Sequence, residues 1–430
     1  SGVIDGFNSY TEYDSAKDIT IIILETSFLS FEIMKCSNKS VVYVSTSPFP
    51  NGFAATNHII FHARGLLAAG VNCECIIVNR TESLENIKND TATGNHKGIS
   101  FSYIGKKTIR AKNRYKAKLY DLIDGLLTVA FCFKKAHKNV SFIIFGPSFL
   151  LSLGCIIAVK MKKGKIYLEL GEHPYAVSRS KMEFINSFLE IHLLYRLYSG
   201  FIGISENLID FAKRYASKTA RFIKIPIMLD AELFDTSKKV DKKLYIYNAG
   251  SNSENKDGMI STLTAFGEAL PFIDKNIDFY LSGPKSPVHD DLIGIIEKYK
   301  MQDRVHILGV IPYEEVVKYQ EEAALAIINK NDNLQNRYCF ATKMGNIFAS
   351  ETAVITTTVG EANNYLKDGV NAYIVEPHNP LLIRDKIIQA FKNPDERTRI
   401  AKGGKQMAFK EFDYLYHGKR LAVFLCNGND

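Results

Sequence analysis

Residues 247–258 read Tyr-Asn-Ala-Gly-Ser-Asn-Ser-Glu-Asn-Lys-Asp-Gly. Apolar residues just before them form a strand, and the small polar loop that follows delivers one lysine, Lys256, ahead of a helix beginning near Gly258. Backbone N–H groups and a cation thus converge where a strand ends and a helix starts, which is how α/β folds hold a phosphate. A strand–turn–helix junction with a surface lysine is also ordinary in such folds, so the surrounding chain decides between the two.

On both sides of this loop, short apolar runs alternate with amphipathic stretches. Strands are expected at 41–45, 71–78, 99–104, 141–145, 165–170, 200–204 and 220–225, with helices at 57–69, 112–136, 149–161, 181–197 and 206–216. The second half repeats the pattern, from the strand at 243–248 to the last one at 373–375, and closes with helices at 380–392 and 394–409. Regular alternation implies parallel sheets built from right-handed crossovers, with ligands at the C-terminal ends of the strands. A chain of 430 residues is too long for one ordinary core. The expected fold class is therefore α/β, as two Rossmann-like domains with parallel sheets facing each other across a cleft. The expected units are an N-terminal extension (1–40), an N-terminal Rossmann-like domain (41–228), a C-terminal Rossmann-like domain (229–412) and a last helix (413–430) crossing back to the first domain.

Several segments match one family pattern together. In the first half they are Pro48-Phe49-Pro50-Asn51-Gly52-Phe53-Ala54-Ala55-Thr56, Leu168-Glu169-Leu170-Gly171-Glu172-His173-Pro174 and Gly203-Ile204-Ser205-Glu206-Asn207-Leu208. In the second they are Ala249-Gly250 with Lys256-Asp257-Gly258, Leu281-Ser282-Gly283-Pro284, and Phe340-Ala341-Thr342-Lys343 followed by Ala349-Ser350 and Val354-Ile355. Gly360-Glu361 and Asp368-Gly369-Val370-Asn371-Ala372 complete the set. In this order and spacing they resemble the family 4 retaining glycosyltransferases, which have the GT-B architecture. Three departures stand out: Asn346 occupies the place of a ribose-gripping glutamate, Glu351-Thr352-Ala353 replaces a Gly-x-Pro, and residues 251–255 hold no cation.

The resemblance implies transfer of a sugar from a nucleotide diphosphate, a UDP- or GDP-sugar, to a glycan or lipid-linked acceptor. It implies no metal cofactor, because helix N-termini and Lys or Arg neutralise the departing diphosphate. Asp290 and Asp291, adjacent on a helix, are poorly placed to chelate. Lys256 is the leading candidate for stabilising the leaving phosphate, with Lys343 and the Thr342 hydroxyl next. Gly52 and Gly250 would let the backbone approach the donor, and each equally suits a plain turn. Glu361 would hold a sugar or ribose hydroxyl, or cap a helix. Asn346 would keep a weaker, uncharged ribose contact. His173 or Glu172 would orient or deprotonate the acceptor, although a histidine beside a proline is as often structural. The alternative is a GT-B protein with impaired catalysis that serves as a glycan-binding or partner subunit.

Hydrophobic residues make up 46% and charged residues 23%, the balance of a globular protein. The net charge of +8 is uneven: residues 1–225 hold 29 Lys and Arg against 18 Asp and Glu, and the remainder 25 against 28. The densest part, 106–118, has seven cations (Lys106, Lys107, Arg110, Lys112, Arg114, Lys116, Lys118) and no acid. It reads either as a solvated helix face or as a contact for anionic lipid or a phosphorylated acceptor. Nothing resembles a nucleic-acid module, so no nucleic-acid partner is expected. Seven scattered cysteines without metal spacing read as buried thiols in a reducing compartment. With no convincing span or signal peptide, a cytoplasmic protein is expected, peripheral on the inner membrane face.

Overall fold

The computed structural model describes residues 39–146, 148–178, 180–234 and 240–426. The expectation for an N-terminal extension falls, up to residue 38, outside these residues.

The first lobe runs β1 (Ser40–Ser45), α1 (Ala54–Ala68), β2 (Asn72–Ile77), β3 (Thr93–His96), β4 (Ile99–Tyr103), α2 (Arg114–Lys135) and β5 (Val140–Phe145). It continues α3 (Phe149–Met161), β6 (Lys165–Leu170), α4 (Pro174–Val177), α5 (Lys181–Leu189), β7 (Gly200–Gly203), α6 (Glu206–Tyr215) and β8 (Arg221–Lys224). Its sheet has the order β3-β4-β2-β1-β5-β6-β7-β8. All pairs are parallel except β3 with β4. The central strands read as unbroken apolar runs because helices cover both faces, as in Val41 to Val44 and Phe142 to Ile144.

The second lobe runs β9 (Lys243–Ala249), α7 (Glu254–Asp257), α8 (Met259–Ala269), β10 (Asp278–Ser282), α9 (His289–Lys298), β11 (Val305–Gly309) and α10 (Tyr313–Glu322). It continues β12 (Ala323–Ile328), α11 (Leu334–Tyr338), α12 (Lys343–Ala349), β13 (Ala353–Thr357), β14 (Tyr373–Val375), α13 (Pro380–Lys392) and α14 (Pro394–Glu411). Its all-parallel sheet has the order β11-β10-β9-β12-β13-β14. Two doubly wound parallel sheets are the GT-B arrangement.

The last helix, α15 (Tyr414–Cys426), packs on α1 of the first lobe. Gly65 and Gly418 allow this crossing, since a Cβ on Gly65 would sit 2.7 Å from the Gly418 Cα. Arg64 fixes the corner, reaching Asp230 at 2.5 Å and the Tyr414 hydroxyl at 3.0 Å.

Three local expectations are corrected. The segment after β2 was expected to be irregular up to 100, yet β3 pairs antiparallel at the sheet edge. Gly94 and Asn95 are poor strand formers, and the ladder to β4 overrides them. The helix expected over 181–197 loosens at Glu190 into a π turn and a 3-10 turn. There Glu190 turns inward to accept from Ser152 and Tyr198, and burial pushes its carboxyl up to about 7. Finally, α2 begins only at Arg114, capped by the Asn113 side chain, so Lys106, Lys107, Arg110 and Lys112 lie on the preceding loop.

Candidate functional site

Strand β9 ends at Ala249, and Gly250 (φ 152°) turns the chain where Lys343 Nζ would lie 3.1 Å from an added Cβ. The chain then makes its own short helical turn, α7, rather than running directly into a long helix. Ser253 caps α7 by accepting from the Lys256 N–H, and Gly258 ends it at φ 56°. This turn fixes Lys256 at the rim of the lobe. Its Nζ reaches across to Glu172 Oε1 at 2.8 Å, two residues beyond the end of β6 in the other lobe. The C-terminal ends of both sheets therefore open onto one cleft. The space there is about 770 Å³, lined from one side by Glu172, Ala176, Val177 and Glu183 and from the other by Ser251, Ser253, Glu254, Asn255 and Lys256. That volume suits a nucleotide-sized ligand.

Behind Lys256 lies a charge cluster that the sequence reading did not assemble. The buried Asp257 carboxylate accepts from Lys343 Nζ at 3.0 Å, from Ser251 Oγ at 2.5 Å and, more loosely, from Lys330 Nζ at 3.4 Å. Lys343 also donates to Asn248 Oδ1 and the Ala249 carbonyl, and Lys330 to the Lys256 carbonyl. Burial opposes the charge on Asp257, yet the Lys343 and Lys330 ammoniums hold its carboxyl well below the usual carboxylate range. Burial likewise opposes the charge on Lys256, and Glu172 more than offsets it, raising the lysine above its ordinary value. Desolvation lowers Lys330. The only sequence signal for Lys330 was its position just past the apolar run of β12.

Other expected residues lie elsewhere. His173 is buried among Phe211, Tyr338 and Tyr175, its Nδ1 lacks a partner, and burial lowers its pKa. Thr342 is exposed at the start of α12 without making a capping bond. Asn346 donates to the Tyr313 hydroxyl at 2.9 Å on the side of α10. Glu361 is buried in the contact between lobes, where it accepts from the Glu206 N–H at 2.8 Å and from Lys224 at 2.9 Å. Ser205 Oγ and Asn207 Nδ2 extend this contact to the carbonyls of Tyr338 and Arg337. Gly52 leaves no room for a side chain, since an added Cβ would lie 2.0 Å from Thr56 Oγ1, and its loop is pinned by Asn51–Asn89 bonds. Lys106, Lys107, Arg110, Arg114 and Lys118 are exposed, with Arg110 paired to Asp121.

Beneath the cleft, His58 and His62, one turn apart on α1, meet Glu169 of β6. The Tyr43 hydroxyl donates to Glu169 Oε2 at 2.6 Å and lies 2.6 Å from His62 Nδ1, while His58 Nε2 lies 2.5 Å from Glu169 Oε1. Against the cost of burial, the two histidines keep this carboxyl well below its usual range. The three side chains form a group with metal-ligand spacing, and the buried His62 Nε2 has no hydrogen-bond partner. Among the described residues no helix is long and apolar enough to cross a membrane.

Residues 230–407 match the family model described as glycosyl transferases group 1. Over these residues the second lobe is similar to the group 1 glycosyl transferase domain. The enzyme class that goes with this domain is glycosyl transfer of the hexosyl type. The search of curated proteins returns no match. Among solved structures, sucrose-phosphate synthase from Thermosynechococcus elongatus superposes with a TM-score of 0.67 at 15% identity, over 89% of this chain and 97% of that one. Anabaena HepE in complex with UDP gives 0.65 at 12% identity, over 89% and 98%. TarM gives 0.67 at 13% identity, over 90% and 98%. The second lobe lines the cleft with Lys256, behind which Asp257, Lys330 and Lys343 are clustered, and the first lobe lines it with Glu172.

Proposed function

We propose that this chain is a retaining glycosyltransferase that moves a sugar from a nucleotide diphosphate to a glycan or lipid-linked acceptor without a bound metal. The observation that carries this reading is the convergence of Lys256, Lys330 and Lys343 behind one open cleft. Breaking the C1–O bond leaves a diphosphate with added negative charge, and preorganised cations stabilise that charge more as it develops. Asp257 holds Lys343 and Lys330 in place, so little reorganisation is needed when a diphosphate arrives. Lys330 and Lys343 supply the charge missing from residues 251–255.

HepE in complex with UDP-glucose is among the similar structures, which supports a UDP-sugar as the first donor to test. Glu172 faces Lys256 from the acceptor side. A bound diphosphate would compete for that lysine and free the carboxylate to orient an acceptor hydroxyl. The retaining outcome rests on the family resemblance, and the anomeric configuration of the product tests it. The cation-rich segment 106–118 suits an anionic membrane face or a phosphorylated acceptor, consistent with a role in surface polysaccharide synthesis.

A second reading, a glycan-binding or partner subunit without turnover, is favoured by Glu361 and Asn346. Both are engaged away from the cleft. Incubation with UDP- and GDP-sugars separates the two: release of nucleoside diphosphate that depends on Lys256 supports the enzyme, and binding without release supports the subunit.

A further inference from the structure

Helices α2, α3 and α5 lie side by side on one face of the first sheet. Val129 of α2 abuts Gly154 of α3, and the Phe149 N–H at the start of α3 donates to Asn186 of α5. Their outward surfaces are apolar: Leu126 is 64% exposed, Leu150 73% and Met182 74%. On α2 the exposed residues Tyr115, Leu119, Leu122 and Leu126 recur at helical spacing and form one stripe. Water-facing helices do not ordinarily carry such a stripe, and a contiguous patch of this kind marks an interaction surface.

The charge around the patch identifies its partner. Residues 106–163 hold thirteen Lys and Arg against two acids, Asp121 and Asp124. Both acids are already paired, with Arg110 and Arg80. An apolar stripe rimmed by long cationic side chains fits the boundary of an anionic bilayer, where the stripe enters the acyl region and the ammoniums stay among the headgroups. The same surface leads to the cleft. Glu183 of α5 lines the cleft, as do Ala176 and Val177 of α4, whereas Met182 and Ile185 of α5 are exposed.

We propose that the α2–α3–α5 face docks on an anionic bilayer, and that the acceptor is lipid-linked. Its headgroup crosses α5 into the cleft while its chain stays in the membrane. This rests on the glycosyltransferase reading above and narrows its acceptor.

The chain contains no tryptophan, so a single introduced indole reports one position. Leu126→Trp is expected to shift its emission to the blue when full-length protein meets mixed phosphatidylglycerol and phosphatidylcholine vesicles. Leu381→Trp, on a 48% exposed site of the second lobe, is expected to stay unshifted. Neutralising Lys116 and Lys118 together, as Gln, is expected to lower vesicle partitioning by roughly thirty-fold. An unshifted Leu126→Trp with vesicles overturns the proposal. So does an emission already blue in buffer, because residues 1–38 or a second copy would then cover the face. Titration of the same sample with UDP and with GDP distinguishes the two readings. Nucleotide binding without a vesicle shift sinks the lipid acceptor alone, and a vesicle shift with neither UDP nor GDP bound leaves docking standing and sinks the transferase reading.

Discussion

Lys256→Ala tests how the cleft handles charge. Lys256 is held by Glu172 at 2.8 Å, and both side chains are about one-third exposed. A partly exposed pair of this kind contributes up to about 1 kcal/mol. A charge-assisted bond to a diphosphate oxygen contributes about 1.5–3 kcal/mol. The exchange therefore favours the ligand, and removing Lys256 is expected to weaken UDP binding by roughly ten- to a hundred-fold. Glu172→Gln removes the competitor and should tighten UDP binding by up to about five-fold. The two substitutions share one interaction, so they should not add: the double variant should bind like Lys256→Ala alone. Isothermal titration of the wild type and three variants with UDP, in chelator, reads all four values. UDP affinity unchanged by Lys256→Ala, or lowered by Glu172→Gln, would refute this exchange.

Glu361→Ala should destabilise the chain by about 2–4 kcal/mol in urea unfolding. It leaves the Glu206 N–H and the partly buried Lys224 without their shared acceptor, and an unchanged midpoint would show that the contact between lobes does not depend on it. Gly65→Ala should lower stability by about 1–3 kcal/mol because the added methyl meets the Gly418 backbone; wild-type thermal stability would mean that α15 can shift freely. Burial pushes His417 down from 6.5 to about 4, so the unfolded chain binds the extra proton between those values. Stability from this group is full above pH 6.5 and falls by about 3 kcal/mol as pH drops through the folded value. His417→Gln should flatten that part of the thermal stability profile, and an identical slope in both proteins would contradict the assignment.

The parallel sheets were legible because buried central strands such as β1, β5 and β12 are unbroken apolar runs, and Lys256 was legible from its loop. The edge strand β3 was not, because its pairing with β4 and not its composition makes it a strand. Asp257 and Lys330 stand 73 positions apart, and no local pattern announces that they share a site. The spacing of His58 and His62 was visible on α1, but their partner Glu169 comes from β6. Glu361 was placed at the donor by its motif, whereas the fold sets it against Glu206 and Lys224. The segment 106–118 showed its charge in sequence. The apolar surface beside it emerged only once α2, α3 and α5 were seen packed together with nothing over them among the described residues.

The central claim is that the cleft between the lobes receives a nucleoside diphosphate on Lys256 and Lys343. A crystal structure of the full chain with UDP tests it most directly. The account predicts diphosphate oxygens within about 3 Å of both ammoniums, with the Lys256–Glu172 contact broken. UDP bound elsewhere, or held in the cleft with both lysines still on Asp257 and Glu172, would contradict it.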